Sequence, residues 1–210
     1  IDDEKIDYLV ETKSPKLEYH NLNISSDEAE IDGLVAAADV VVDLVAFANP
    51  ALYVEDPVGV FDLNFTQNMK VVKQCLKHKK RLVQFSTCEV YGITPAKAAE
   101  QFGLSSDTHI TPFSEDESPL IMGPVKNHRW IYACAKQLLE RILDAHWKRD
   151  GFQFSVIRPF NFIGPRIDFL PSEAGGGSPR VFSHFMDALL YGKKPIKLVD
   201  GGEVYRAYTY

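Results

Sequence analysis

Three short β-branched or apolar runs, separated by helical patterns, constrain the fold of this chain more than any other feature. Asp39 to Ala46 reads DVVVDLVA, Arg81 to Ser86 reads RLVQFS, and Phe154 to Arg158 reads FSVIR. The first run is close to continuously apolar, which fits a strand buried on both faces. Leu17 to Leu22 alternates like a further strand, and Ile196 to Val199 predicts a short one. Between them, Asp27 to Ala38 reads as a helix with Ser25 or Ser26 as its N-cap. Pro57 to His78 carries helical periodicity, with Val60, Phe61, Asn64, Met69, Val72 and Cys75 near one side. Trp130 to Arg149 predicts a long helix and Pro179 to Tyr191 another. Strand and helix in alternation require a parallel sheet with crossover connections. Ligands of such sheets sit at the carboxyl ends of the strands. Asn49-Pro50, Ser86 to Gly92 and Asn161 to Arg166 fall at those ends, and Ala174 to Ser178 reads as a surface loop.

A dinucleotide fold normally opens with a strand and a GxGxxG turn, whose backbone amides face the pyrophosphate. This sequence has neither. It opens at Ile1 like the stretch just after a second strand, and it stops at Tyr210 as if inside a domain. The expectation is an α/β protein with a doubly wound parallel sheet, Rossmann-like and incomplete at both ends. Residues 1–160 would be the cofactor domain without its first strand and glycine-rich turn. Residues 161–210 would begin a C-terminal substrate-binding lobe. The isolated segment is expected neither to fold stably nor to turn over substrate.

The net charge of -6 argues against non-specific nucleic-acid binding. No apolar run is long enough to span a bilayer, and the first residues lack a signal-peptide pattern. Cys75, Cys88 and Cys134 are an odd number, with no CxxC and no Cys/His cluster. That composition points to a reducing, cytoplasmic setting with no disulfide framework and no metal.

Tyr132-Ala-Cys-Ala-Lys136 carries the chemistry. Positions four apart share a helix face, so a phenol and an ammonium can meet. A cation beside a phenol favours the phenolate and lowers its pKa from about 10. Such a tyrosine can take a proton from a sugar hydroxyl while a nicotinamide takes the hydride. Ser86-Thr87-Cys88-Glu89, at a strand end, brings hydroxyl, thiol and carboxyl groups to the same edge. The plain alternatives are a surface Tyr–Lys pair, a strand-end Thr bonded to backbone, a Glu capping a loop amide, and cysteines that only pack.

At these residues the chain resembles the extended short-chain dehydrogenase/reductase family, and within it the nucleotide-sugar branch acting on UDP-glucuronate. STCEVYG (Ser86 to Gly92), RWIYACAKQLLER (Arg129 to Arg141), RPFNFIGPR (Arg158 to Arg166) and KLVDGGEVYR (Lys197 to Arg206) are that branch's blocks, in order. One group in the branch oxidises and decarboxylates UDP-glucuronate to a 4-keto pentose. It typically has serine where Cys88 and Cys134 stand. The group that makes UDP-apiose and UDP-xylose has cysteine at both, and the chain is more similar to that group.

The resemblance implies NAD as cofactor, UDP-glucuronate or a related UDP-sugar as substrate, and a homodimer through Met69 to His78 and Trp130 to Ala145. It implies Tyr132 as base at the sugar O4, with Lys136 tuning it and holding the nicotinamide ribose. Thr87 would hold the O4 region, and Glu89 would be an acid/base group near the substrate carboxylate. Apiose formation breaks and re-forms the C2–C3 bond, so Cys88 and Cys134 would serve proton transfer at the ring hydroxyls. Asn23 and Ile24 would meet the adenine, Val45 and Ala46 the cofactor backbone, and Asn64 would steady the edge beneath it. Ala48, Tyr53, Thr87, Cys88 and Arg129 would line the sugar, Asn161 would lie near the diphosphate or the sugar, and Arg180, Lys197 and Arg206, with Tyr205, would frame the UDP. Cys75 matches no motif and is assigned to the core. The rival readings are a decarboxylase releasing the 4-keto pentose with NADH, another nucleotide-sugar epimerase or dehydratase, and a binding protein with a dead site.

Overall fold

A computed structural model of the protein describes residues 16–93, 113–118, 120–164, 169–171, 180–192, 196, 198–203 and 207–210. They form two compact units. One runs from Asn21 to Pro159, and the other takes the residues from Phe160 onward with those before Asn21.

The larger unit is built on a parallel sheet. Strand β1 (Val40–Asp43) pairs with β2 (Arg81–Phe85), and β2 with β3 (Phe154–Ile157), in the order β1-β2-β3. Around it lie helices α1 (Glu28–Ala37), α2 (Pro50–Glu55), α3 (Pro57–Phe61), α4 (Asn68–Lys77) and α5 (Ile131–Asp150). The core joins Val35 of α1, Val71, Val72 and Cys75 of α4, Leu82 of β2, and Leu139 and Leu143 of α5. Cys75 is fully buried, as its assignment to the core requires. Gly151 ends α5 in the left-handed conformation (φ 69°), where a side chain would be strained.

Several elements depart from expectation. β1 is not buried on both faces: Val41 and Asp43 turn inward, whereas Val40, Val42 and Leu44 are exposed. Leu17 to Leu22 forms no strand, because a strand needs a hydrogen-bonded neighbour and among the described residues this segment pairs with none. The N-cap of α1 is Asp27. Its carboxylate turns back to accept the Asn23 N–H (2.6 Å) and the Ser26 hydroxyl (2.9 Å).

The helix expected from Pro57 to His78 is interrupted by a π-helical turn, Asp62–Gln67, between α3 and α4. In the smaller unit, β4 (Asn161–Phe162) pairs in parallel with β5 (Tyr208–Thr209), and α6 spans Val181–Leu190. Of the strand expected at Ile196 to Val199, Lys197 lies outside the described residues, and Val199 opens a 3-10 turn, Val199–Gly202. Gly201 and Gly202 there take positive φ (68° and 78°), which bends the chain out of extension.

Candidate active site

The carboxyl ends of β1 and β2 and the first turns of α5 form one buried cluster. Tyr132 (4% exposed), Lys136 (1%) and Thr87 (8%) all belong to it. Thr87 closes the strand end before the 3-10 turn Cys88–Tyr91. Its Oγ1 accepts the Glu89 N–H at 3.1 Å, and the same hydroxyl hydrogen-bonds to the Tyr132 phenol. The bond to backbone, the plain alternative for this threonine, is present, and its hydroxyl also meets Tyr132.

The phenol does not behave as its spacing from Lys136 predicts. Its pKa is pushed up to about 12, by burial first and then by the nearby Glu89 carboxylate; the Thr87 bond works the other way and Cys88 adds to the rise. The ammonium is engaged elsewhere and does not offset the burial. Lys136 Nζ donates to the backbone carbonyls of Phe85 (3.2 Å) and Val45 (3.4 Å), at the ends of β2 and β1. Burial lowers the lysine pKa, and the Asp43 and Glu140 carboxylates oppose that fall. The ring of Tyr53, 1% exposed, stacks on Tyr132 with centroids 4.8 Å apart and 15° between planes. Tyr53 thus reaches the cluster through Tyr132, and Ala46 packs against the pair.

The turn after β1 is held by amides. Asn64, fully buried, donates to the carbonyls of Phe47 (3.3 Å) and Val60 (2.8 Å). Asn68 donates to Val45 (3.2 Å) and Leu63 (2.7 Å) and accepts from Gln84 (3.3 Å). Asn64 and Asn68 thus both tie the turn after β1 to the helical segment that follows it. Ala48 is exposed at the end of the turn. Arg129 reaches Glu89 Oε2 at 3.2 Å and lies over the Trp130 ring at 5.4 Å. Cys88 is half-buried; its amide is tied to the Pro159 carbonyl at 3.0 Å.

Not every expected residue joins the cluster. Cys134 is exposed, because a step of two residues carries it about 200° around the α5 axis from Tyr132. Asn23 is exposed, its Oδ1 accepting the Ser25 N–H at 2.8 Å, while Ile24 packs on the core. In the smaller unit, Asn161 donates to the Ala207 carbonyl (3.1 Å), and Arg180 sits at the start of α6. Lys197, Tyr205 and Arg206 lie outside the described residues. Among the described residues, no group of His, Cys, Asp and Glu is placed to hold a metal ion, and no helix is long and apolar enough to cross a membrane.

Sequence reasoning missed a buried polar layer beneath the site. Ser86 donates to Glu140, and Glu140 receives Arg158 through Nε (3.1 and 3.2 Å) and Nη2 (2.6 Å). Burial works against the Arg158 charge, yet the Glu140 bonds hold it protonated. The signal was available: Tyr132, Lys136 and Glu140 recur at intervals of four along one face of α5. Asp43 and Gln84, directly opposed in the β1–β2 register, complete the layer at 3% and 0% exposure.

Fold and site together define a Rossmann-like protein of the short-chain dehydrogenase/reductase type. The chain belongs to the NAD dependent epimerase/dehydratase family, whose model matches residues 5–210. It is 42% identical over 99% of its length to a UDP-D-apiose/UDP-D-xylose synthase of Oryza sativa subsp. japonica, of which it covers 53%. The identity is also 42%, with 54% of the relative covered, for UDP-D-apiose/UDP-D-xylose synthase 1 of Arabidopsis thaliana. Among solved structures it is similar to the PbgP3 protein from Burkholderia pseudomallei, at 36% identity and a TM-score of 0.77, covering 95% of this chain and 55% of that one. The chain spans about half the length of the curated relatives it matches.

Proposed function

We propose that the protein carrying this chain oxidises UDP-glucuronate at C4 with NAD, decarboxylates it, and converts the 4-keto pentose to UDP-xylose and UDP-apiose. The observation that carries the reading is the buried Tyr132 phenol, hydrogen-bonded to Thr87 with Glu89 and Cys88 nearby, on the same buried helix face as Lys136. The 42% identity to UDP-D-apiose/UDP-D-xylose synthases supports the substrate.

The residues at the β1 turn fit a nicotinamide and its ribose. Ala46 and Ala48 leave the turn low, Lys136 brings a cationic donor to the Val45 carbonyl, and the buried Asn64 Oδ1 has no partner among the described residues. Bound there, NAD supplies the hydride acceptor for C4 and later returns the hydride. Tyr132 takes the O4 proton as the C4 hydrogen leaves. Burial, and after it the Glu89 charge, keep the phenol protonated, so it acts as base when positive charge is brought beside it. The resulting ketone is β to the carboxylate, so loss of CO2 leaves a stabilised enolate, and Glu89 returns a proton to it. Arg129, 3.2 Å from Glu89, offers its guanidinium to the substrate carboxylate. Cys88, beside Thr87, serves the ring-contraction branch as a proton carrier.

The cofactor domain extends to about residue 160 in this reading. Asn161, Arg180, Lys197 and Arg206 begin the nucleotide-sugar lobe, and the full-length protein works as a homodimer. The test is product analysis with the full-length protein, UDP-glucuronate and catalytic NAD. UDP-xylose and UDP-apiose without net NADH are expected; NADH released in proportion to turnover overturns the synthase reading.

A further inference from the structure

We propose that Asp43 is a positioning residue for Lys136: a buried carboxylate that gives the ammonium its counter-charge and anchors the backbone of Val45, whose carbonyl receives that ammonium. This rests on reading Lys136 as the working cation of the site. Aspartate is disfavoured in strands, and a buried carboxylate is costly unless it is paired. Asp43 nevertheless ends the otherwise apolar β1 with its side chain turned inward, 3% exposed.

Its partners explain the choice. Oδ1 accepts the Val45 N–H at 2.9 Å. The carbonyl of the same Val45 receives Lys136 Nζ at 3.4 Å and Asn68 Nδ2 at 3.2 Å. One residue thus joins the carboxylate to the ammonium: Asp43 anchors Val45 by its N–H, and Asn68 and Lys136 hold the carbonyl of the next peptide unit.

Charge points the same way. The close partners of Lys136 are carbonyls, and among the described residues no carboxylate lies within the 4.0 Å of an ion pair with it. Carbonyls solvate an ammonium but do not neutralise it, and a buried lysine without counter-charge loses its proton. Two carboxylates act on this lysine, Asp43 more strongly than Glu140. Glu140 is already matched by Arg158 at 2.6 Å. Asp43 meets neutral groups instead, the Val45 amide and the Gln84 side chain. Cys75, packed near Asp43, keeps its proton because burial, with Asp43, pushes the thiol up to about 11. Glu89, Cys88 and Tyr132 are the remaining titratable groups of the site, gathered around the phenol. Burial raises the Asp43 pKa, and the Val45 N–H, the Lys136 charge and Gln84 oppose that rise, so the carboxylate and the ammonium each support the charge of the other.

Asp43→Asn in the full-length protein tests this, because the amide oxygen can still accept from Val45 while the charge is gone. With ε-13C-lysine labelling, the Lys136 signal, assigned through Lys136→Met, should titrate lower than in the parent by about one pH unit or more. The alkaline limb of kcat for UDP-glucuronate should move down with it, KM should stay within about twofold, and Asp43→Glu should restore both the lysine titration and that limb. A lower melting temperature with both titrations unmoved overturns the proposal, since a purely structural residue would do that. If UDP-glucuronate proves not to be the substrate, the lysine titration still decides the matter. Should Asp43→Asn not fold, the Lys136→Met variant reads the coupling in reverse. The Asp43 carboxyl, followed by its 13Cγ shift, must titrate higher than in the parent, and an unmoved signal overturns the proposal.

Discussion

Replacing Glu140 by glutamine should cost far more than its conservative shape suggests. Glu140 lies two turns along α5 from Tyr132 and is 9% exposed. Its two oxygens take three contacts from Arg158, at 2.6, 3.1 and 3.2 Å, as well as the Ser86 hydroxyl. The amide replaces one charged acceptor with a donor and leaves the Arg158 guanidinium, 17% exposed, without its counter-charge. Breaking one side of a buried pair costs about 3–5 kcal/mol. With a urea m-value of about 3 kcal/mol/M, the unfolding midpoint should fall by about 1–1.7 M. The double variant Glu140→Leu with Arg158→Met removes both charges and should unfold at higher urea than Glu140→Gln alone. Ser86 directly precedes Thr87, so the single variant should also lower kcat by loosening the strand end that holds the phenol. A single variant within about 0.3 M of the parent, or a double variant whose loss is the sum of its two singles, would refute the idea of a coupled buried pair.

Tyr132→Phe should lower kcat by about 10²–10⁴ with UDP-sugar affinity little changed; a native rate measured with UDP-glucuronate contradicts the acid/base role. The same variant reports on stability. Because the folded phenol holds its proton to about pH 12 while an unfolded tyrosine releases it near about pH 10, the parent should lose stability as pH rises through that window. Urea midpoints at the two ends of the window should show that Tyr132→Phe lacks this slope, and equal slopes count against the burial argument. The two cysteines should separate. Cys134→Ser, on an exposed face, should change stability by no more than about 0.5 kcal/mol and leave the apiose-to-xylose ratio alone. Cys88→Ser should alter that ratio, and a ratio shift from Cys134→Ser instead would reverse the assignment.

The parallel sheet was legible because β-branched runs and helical patterns alternate, and β1, β2 and β3 fall inside the three runs that predicted them. Thr87, Glu89 and Tyr132 were legible as a cluster because strand ends and a four-residue helical interval fix where side chains meet. The direction of the Tyr132 shift was not. Spacing says that a phenol and an ammonium share a face, but not that two strand-end carbonyls claim the ammonium while a carboxylate lies by the phenol. Asp43, Gln84 and Asn68 looked like polar punctuation in sequence. They are buried together by pairing between segments far apart in the chain, which no local pattern records. Leu17 to Leu22 erred the opposite way, since alternation states only which face a strand would bury, not that a neighbour exists.

The π-helical turn at Asp62–Gln67 acts as a spacer. Asn64 lies within it and Asn68 just after it, and their amides reach carbonyls two residues apart, on Phe47 and Val45. Removing a single residue there would let the coil tighten and swing one amide about 100° away from its carbonyl. The count of residues in this stretch thus carries information that their identities do not. Relatives should tolerate exchange of its exposed side chains, yet an insertion or deletion there should be felt at the loop after β1.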